Sequence, residues 1–157
     1  MSHSITGLVA RKELLEVFAS QNSLPNPREI NQGFGFLPLR DEDIDAFVTQ
    51  PQTEVASGFT YLSKQLALLV ARASKGGAIV YVETDYFGGV GEQGAAAFSG
   101  GQLSYGPFYA EIGPINEALA SIGVTVSEHA VDEFDAVGLN RHRHTDDWLE
   151  AEESKRG

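Results

Sequence analysis

Residues 78–105 constrain the fold more than any other part of the chain. Ala78 to Tyr86 reads Ala-Ile-Val-Tyr-Val-Glu-Thr-Asp-Tyr. The continuous apolar start is that of a strand covered on both faces, and the later alternation is that of its exposed end. Gly88 to Gly94 reads as a glycine-rich turn. Ala95 to Phe98, then Ser99-Gly100-Gly101, then Gln102 to Tyr105 reads as a β-hairpin. A hairpin makes at least part of the sheet antiparallel. The expected class is therefore α+β: a small mixed or antiparallel sheet with a central strand, a hairpin and packed helices, not a doubly wound fold.

The remaining elements read as follows. Gly7 to Ser20 places Leu8, Leu14, Leu15, Val17 and Phe18 near helical spacing, and Asn22 to Pro27 ends that helix. Gly33 to Leu39 alternates as a short strand, and Pro38 puts it at an edge or a terminus. Arg40 to Phe47 reads as a short helix with its acids in the first turn, where the helix dipole favours them. Gln50-Pro51-Gln52 is a joint. A long helix is expected from Thr53 to Ser74, stopped by Lys75-Gly76-Gly77. Pro114 to Ile122 is a helix with proline in its first turn. Gly123 to Val126 reads as a strand, and Glu128 to Leu139 as a helix with Val131, Phe134 and Leu139 inward. Thr145 caps a last helix anchored by Trp148, and 150–157 forms a frayed tail.

A chain of 157 residues suits one domain, here 1–157. The absence of cysteine removes disulfides, thiol nucleophiles and thiolate metal sites. It fits a reducing compartment, so the expected location is cytoplasmic. Met1-Ser2-His3-Ser4-Ile5 lacks a basic patch followed by an apolar run, so no signal peptide is expected. No apolar stretch approaches the roughly 20 residues of a membrane helix.

Charge is where the chain is least ordinary. It carries 22 acids against 11 Lys and Arg, a net of −11. From Gly76 to Asn140 there is no Lys or Arg, and nine acids stand alone. Such a balance argues against nucleic acid, whose binding needs cations on the protein, and against an anionic membrane. It suits a basic protein partner or a cationic ligand. The alternative is a solvated acidic surface with no partner.

Two segments concentrate possible chemistry. Glu83-Thr84-Asp85-Tyr86-Phe87-Gly88-Gly89 puts two acids and two aromatics at the end of the central strand. Strand alternation places Glu83, Asp85 and Phe87 on one side, with Thr84 and Tyr86 on the other. The continuation Gly89-Val90-Gly91-Glu92-Gln93-Gly94 matches the glycine pattern of dinucleotide sites. That mechanism needs a helix next, and Ala95 to Phe98 is barely one turn. No cofactor is expected. The second segment runs from Asp132-Glu133-Phe134-Asp135 to Asn140-Arg141-His142-Arg143-His144-Thr145-Asp146. His142, His144 and Asp146, with His129 near, are the residues that would hold a divalent ion. The local alternative is that Arg141 and Arg143 pair with acids of the unneutralised stretch. Paired carboxylates such as Glu83 and Asp85, or Asp132 and Asp135, leave an enzymatic role open.

The phrases Tyr81 to Gly91 and Asp132 to Arg143 resemble stretches of small bacterial proteins to which no activity is attached. In size, acidity and lack of a catalytic signature the chain also resembles the immunity proteins of bacterial toxin systems. Those bind and block a cognate toxin, often a basic nuclease. This likeness is of general character and carries over no residue.

The expectation is thus an acidic binding protein that neutralises a basic partner, such as a cognate toxin. Glu83, Asp85, Glu92, Asp132, Glu133 and Asp135 would pair with its Lys and Arg. Tyr86 and Phe87, with Tyr105 or Tyr109, would give the desolvated contacts. The alternative is a small enzyme or ligand-binding domain with its pocket at the 86–94 loop. A third reading is a homo-oligomer formed through a strand edge near Phe34 and Phe36.

Overall fold

The computed structural model describes residues 2–47 and 54–156, with the side chains of 151–156 excepted. The expected joint at 50–52 lies outside the described residues. Seven strands form one sheet: β1 Ser2–His3, β2 Thr6–Arg11, β3 Arg28–Glu29, β4 Phe34–Pro38, β5 Ile79–Phe87, β6 Val90–Ser99 and β7 Gln102–Ala110. Among the described residues six α-helices accompany them: α1 Lys12–Gln21, α2 Asp41–Phe47, α3 Lys64–Ala73, α4 Pro114–Ser121, α5 Glu133–Val137 and α6 Thr145–Arg156. The strand order is β3-β4-β2-β5-β6-β7, with β1 also pairing β5, and these pairings are antiparallel. The fold is α+β.

Both faces of the sheet are covered, so there are two cores. Leu8, Ala10, Ile79, Tyr81, Ala96 and Phe98 pack with Leu15 and Phe18 of α1, Ile44 of α2, and Leu66 and Val70 of α3. Val9, Val80, Val82, Ala95 and Ala97 point the other way. They meet Ile115, Ala118 and Leu119 of α4, Val137 of α5 and Trp148 of α6. Two-sided burial explains why Ile79 to Val82 is apolar without interruption. β5 is the central strand expected from that run.

The same effect corrects the first element. Gly7 to Arg11 is strand, and the helix begins only at Lys12. Leu8, Val9 and Ala10 are all buried because both faces of β2 are covered, which removes the alternation that marks a strand. Gly7 is there because the Leu37 carbonyl and the Phe36 ring leave no room for a side chain: a Cβ would lie 2.4 Å from the oxygen and 2.6 Å from the ring.

Other boundaries also move. The long helix starts at Lys64, where Ser63 caps it by accepting the Leu66 amide at 3.1 Å, and 54–63 is not helical. Gly88 to Gly94 is not one loop. Gly88 and Gly89 alone make the β5–β6 turn, both at positive φ, and Gly91 and Gly94 lie within β6. The β6–β7 hairpin runs beyond the expected Ala95 to Tyr105, over Val90–Ser99 and Gln102–Ala110, and its turn is Gly100-Gly101. Gly123 to Val126 forms no strand. Glu128 to Leu139 shrinks to α5, with Leu139 buried but Val131 89% exposed. Phe34 and Phe36 are buried in β4, inside the sheet, so the edge reading there is removed; the long edge strand is β7. Trp148 is buried against Phe36, as expected of an anchor. Residues 150–156, expected as a frayed tail, are instead part of α6. Among the described residues no helix is long and apolar enough to cross a membrane.

Gly7→Ala separates the two descriptions of the first element. In a helix, alanine would add up to about 1 kcal/mol. In β2 the added methyl is expected to cost roughly 1–3 kcal/mol through overpacking. Urea denaturation distinguishes the two by sign.

Candidate functional site

β5 and β6 outrun the helices that cover them. β5 is buried from Ile79 to Thr84 and then emerges, with Asp85 and Phe87 exposed. The far end of this hairpin, the start of α4 and the start of α5 together form the region that both sequence segments indicated.

Glu83 marks the boundary. It is 4% exposed and accepts three hydrogen bonds, from the Thr60 amide at 2.8 Å, the Tyr61 amide at 3.0 Å and the Tyr81 hydroxyl at 2.6 Å. Three donors compensate a buried carboxylate and tie the 54–63 segment to the sheet. Burial, then the Glu83 charge, pushes the Tyr81 hydroxyl well above its ordinary pKa, so it stays a donor. Glu83 is spent within the protein and does not face a partner.

Asp85 and Glu92 are different. They stand directly opposite each other across β5 and β6, and both are exposed. Like charges in that position destabilise a strand pair. Among the described residues Arg40 pairs with Glu42 and Asp43, and His144 with Asp147. Burial, then Glu83, Asp85 and Glu92, raises the pKa of the nearby Tyr109. At the same end three apolar side chains stand in water: Phe87 at 77% exposure, Val90 at 78% and Ile112 at 75%. Glu111, also exposed, precedes Ile112 in the segment that joins β7 to α4.

The opposite face of the hairpin borders a hollow of about 550 Å³. Thr84 and Tyr86 line it, as alternation requires, together with His3, Glu111, Asp132 and Phe134. Its walls are tied together. Gln93 accepts the Ile115 amide at 2.9 Å and donates to the Tyr86 hydroxyl at 3.1 Å, and that hydroxyl donates to the Glu111 carbonyl. Asn116 accepts the Phe134 amide at 2.9 Å. His3 packs edge-on against Phe134 with ring centres 5.5 Å apart, and its Nδ1 meets Thr84 Oγ1 at 2.7 Å. Burial, then the charges of His144 and Arg143, lowers the His3 pKa.

The α5 acids are mostly occupied with folding. Asp132 caps α5 by accepting the Asp135 amide at 2.9 Å and also receives Asn116 Nδ2 at 3.3 Å. Asp135 accepts the Val131 amide at 3.0 Å and Asn140 Nδ2 at 2.7 Å. Glu133 sits in the first turn, where the dipole favours it. Tyr105 donates to Glu117 and is a positioned side chain of β7. Of the expected partner contacts, Asp85, Glu92, Tyr86 and Phe87 gather at the hairpin end, and Asp132 joins them across the hollow. Glu111 and Ile112 were not singled out by sequence, because only the return of β7 brings them beside β5.

The histidines do not converge. His142 packs on Trp148 with ring centres 4.8 Å apart, whereas His144 Nε2 meets Ser2 Oγ at 2.8 Å. Asp146 borders a hollow beside Arg40 that His144 also lines and His142 does not. Among the described residues no group of three or more His, Asp or Glu is placed to hold a metal ion. Arg141 bonds the Glu29 carbonyl at 3.0 Å and Asn31 Oδ1 at 2.6 Å, not a carboxylate of the acidic stretch.

His144 Nδ1 also meets Asp147 Oδ2 at 3.2 Å, which completes a Ser2–His144–Asp147 series invisible at a sequence separation of 142. The nearby amides of Ser4 and Thr145 are committed to the carbonyls of Arg143 and Ser4, so they offer nothing to an oxyanion. His144 and Asp147 are each 44% exposed. The series fastens α6 to β1.

Two outcomes test this description. Asp85→Asn with Glu92→Gln keeps both shapes and removes the facing charges, and is expected to raise stability by roughly 0.2–1 kcal/mol. Urea denaturation should show the gain shrinking as salt is added. The His3 prediction concerns pH. Its folded pKa lies below the ordinary 6.5, so the unfolded chain binds more protons between the two values. The contribution of neutral His3 is present above 6.5 and is lost as pH falls from there through the folded pKa. The stability gap between wild type and His3→Asn should therefore narrow with acidification, and a constant gap would count against it.

Comparison of the chain with protein-family models, with curated proteins and with solved structures finds no match.

Proposed function

We propose that the protein is an acidic binding module whose β5–β6 hairpin end docks a basic protein partner in the cytoplasm and blocks its activity, as an immunity protein blocks a toxin. One observation carries this reading. The hairpin end sets Asp85 against Glu92, a repulsion that folding alone does not call for, beside the exposed apolar side chains of Phe87, Val90 and Ile112. Apolar groups ringed by uncompensated charge of one sign suit an interface with a partner of opposite charge. The carboxylates speed encounter from a distance, and Phe87 and Val90 provide the contact that excludes water. Glu83 has no part in this contact.

A second reading has its own support. The hollow beside the hairpin is concave, partly aromatic and rigidly walled, as small-ligand sites are. The binding-module reading is preferred because the exposed apolar side chains lie around the hairpin end as well as beside the hollow.

The test begins with the protein recovered from its native host and any basic partner it retains. The association rate with that partner is then measured against ionic strength. Wild type should slow by about tenfold or more between low and physiological salt. Asp85→Asn with Glu92→Gln should flatten that dependence, and Phe87→Ala should speed dissociation. Co-expression should suppress the partner's activity. An association rate indifferent to salt, or hairpin variants that bind like wild type, would sink the proposal.

A further inference from the structure

Building on that binding reading, we infer that the hollow between the β5–β6 hairpin and the starts of α4 and α5 is a receptor for the guanidinium of one arginine of the basic partner. The charged side chains lining it, Glu111 and Asp132, are both acidic, and no Lys or Arg lines it. An anionic or phosphate ligand therefore has no counter-charge there. Tyr86 and Phe134 supply aromatic walls, and a planar cation gains from lying on such rings.

The acceptors are in fixed positions before anything binds. Asp132 is held as the cap of α5, with one hydrogen bond on each oxygen, and a carboxylate oxygen can accept a second. Asn116 is held by the Phe134 amide, and the Tyr86 hydroxyl is held between Gln93 and the Glu111 carbonyl. His3 Nε2 is buried without a hydrogen-bond partner among the described residues. With Nδ1–H donating to Thr84 Oγ1, Nε2 is the unprotonated acceptor nitrogen of the ring. Several fixed acceptors beside flat rings match a forked planar donor better than a compact ammonium, which is also more strongly hydrated. The hollow lies on the face of the hairpin opposite Asp85 and Glu92, so the two acidic faces separate experimentally.

The probe is N-acetyl-arginine methylamide, titrated into uniformly ¹⁵N-labelled protein, with the lysine and citrulline analogues alongside. Arginine should give saturable amide shifts centred on Thr84, Tyr86, Asn116 and Phe134. Lysine should bind about fivefold more weakly and neutral citrulline should give no saturable shift. Glu111→Gln, which removes an exposed carboxylate with no hydrogen-bond or ion-pair partner among the described residues, should weaken arginine about fivefold. Asp85→Asn with Glu92→Gln should leave it unchanged. A lysine preference, equal shifts from citrulline, or no saturable shift up to the solubility limit would overturn the arginine receptor. None of those results alters the partner's salt dependence at Asp85 and Glu92, so the broader binding reading stands or falls separately.

Discussion

The structure depends on how far each side of the central sheet is covered. β5 is clad on both faces through Val82, which demands unbroken apolar sequence, and it enters water only after the buried polar residues Glu83 and Thr84. Glu83 sits at that transition with three donors around one carboxylate, so the last covered position can be charged without an unmet cost. Everything beyond it, from Asp85 to Glu92, is free of core packing. The hairpin end is an extension that the fold supports and does not need for its interior.

That division bears on energetics. Covered residues add stability through area removed from water, at about 25 cal/mol per Å². The hairpin end adds little of this, exposes Phe87 and Val90, and sets like charges opposite each other. Such an arrangement costs the isolated protein a small amount, which the proposed complex would offset by supplying cations and covering the apolar groups. The tight network around Tyr86, Gln93 and Asn116 keeps the neighbouring hollow in one shape, which lowers the entropy lost when it is filled.

Sequence reading succeeded where local chemistry and tertiary role agree. The apolar run at Ile79, the paired glycines at Gly100 and Gly101, proline at the start of α4 and the anchor Trp148 each have one physical interpretation. It failed where coverage on two sides erased the period. Leu8-Val9-Ala10 looks helical because every residue of a strand between two cores is apolar. Val131 and Phe134 lie three residues apart, as on one helix face, but α5 starts only at Glu133, where Asp132 caps it and leaves Val131 in solvent. The glycines at Gly91 and Gly94 suggested a loop. They are strand glycines, admitted because the Asp85 carbonyl and the Phe59 and Tyr109 rings pass too close for a side chain.

The residues alone determined the α+β class, the central strand, and a second half of the chain with nine acids and no Lys or Arg. Those properties follow from composition and nearest-neighbour order. Which carboxylates remain available was decided only by the three-dimensional arrangement. Burial claimed Glu83, capping fixed Asp132 in place, hydrogen bonds from Val131 and Asn140 occupied Asp135, and strand register set Asp85 against Glu92. The hollow needed β1, β7 and α5 to converge on the hairpin, and contacts between segments so distant along the chain leave no mark on local sequence pattern.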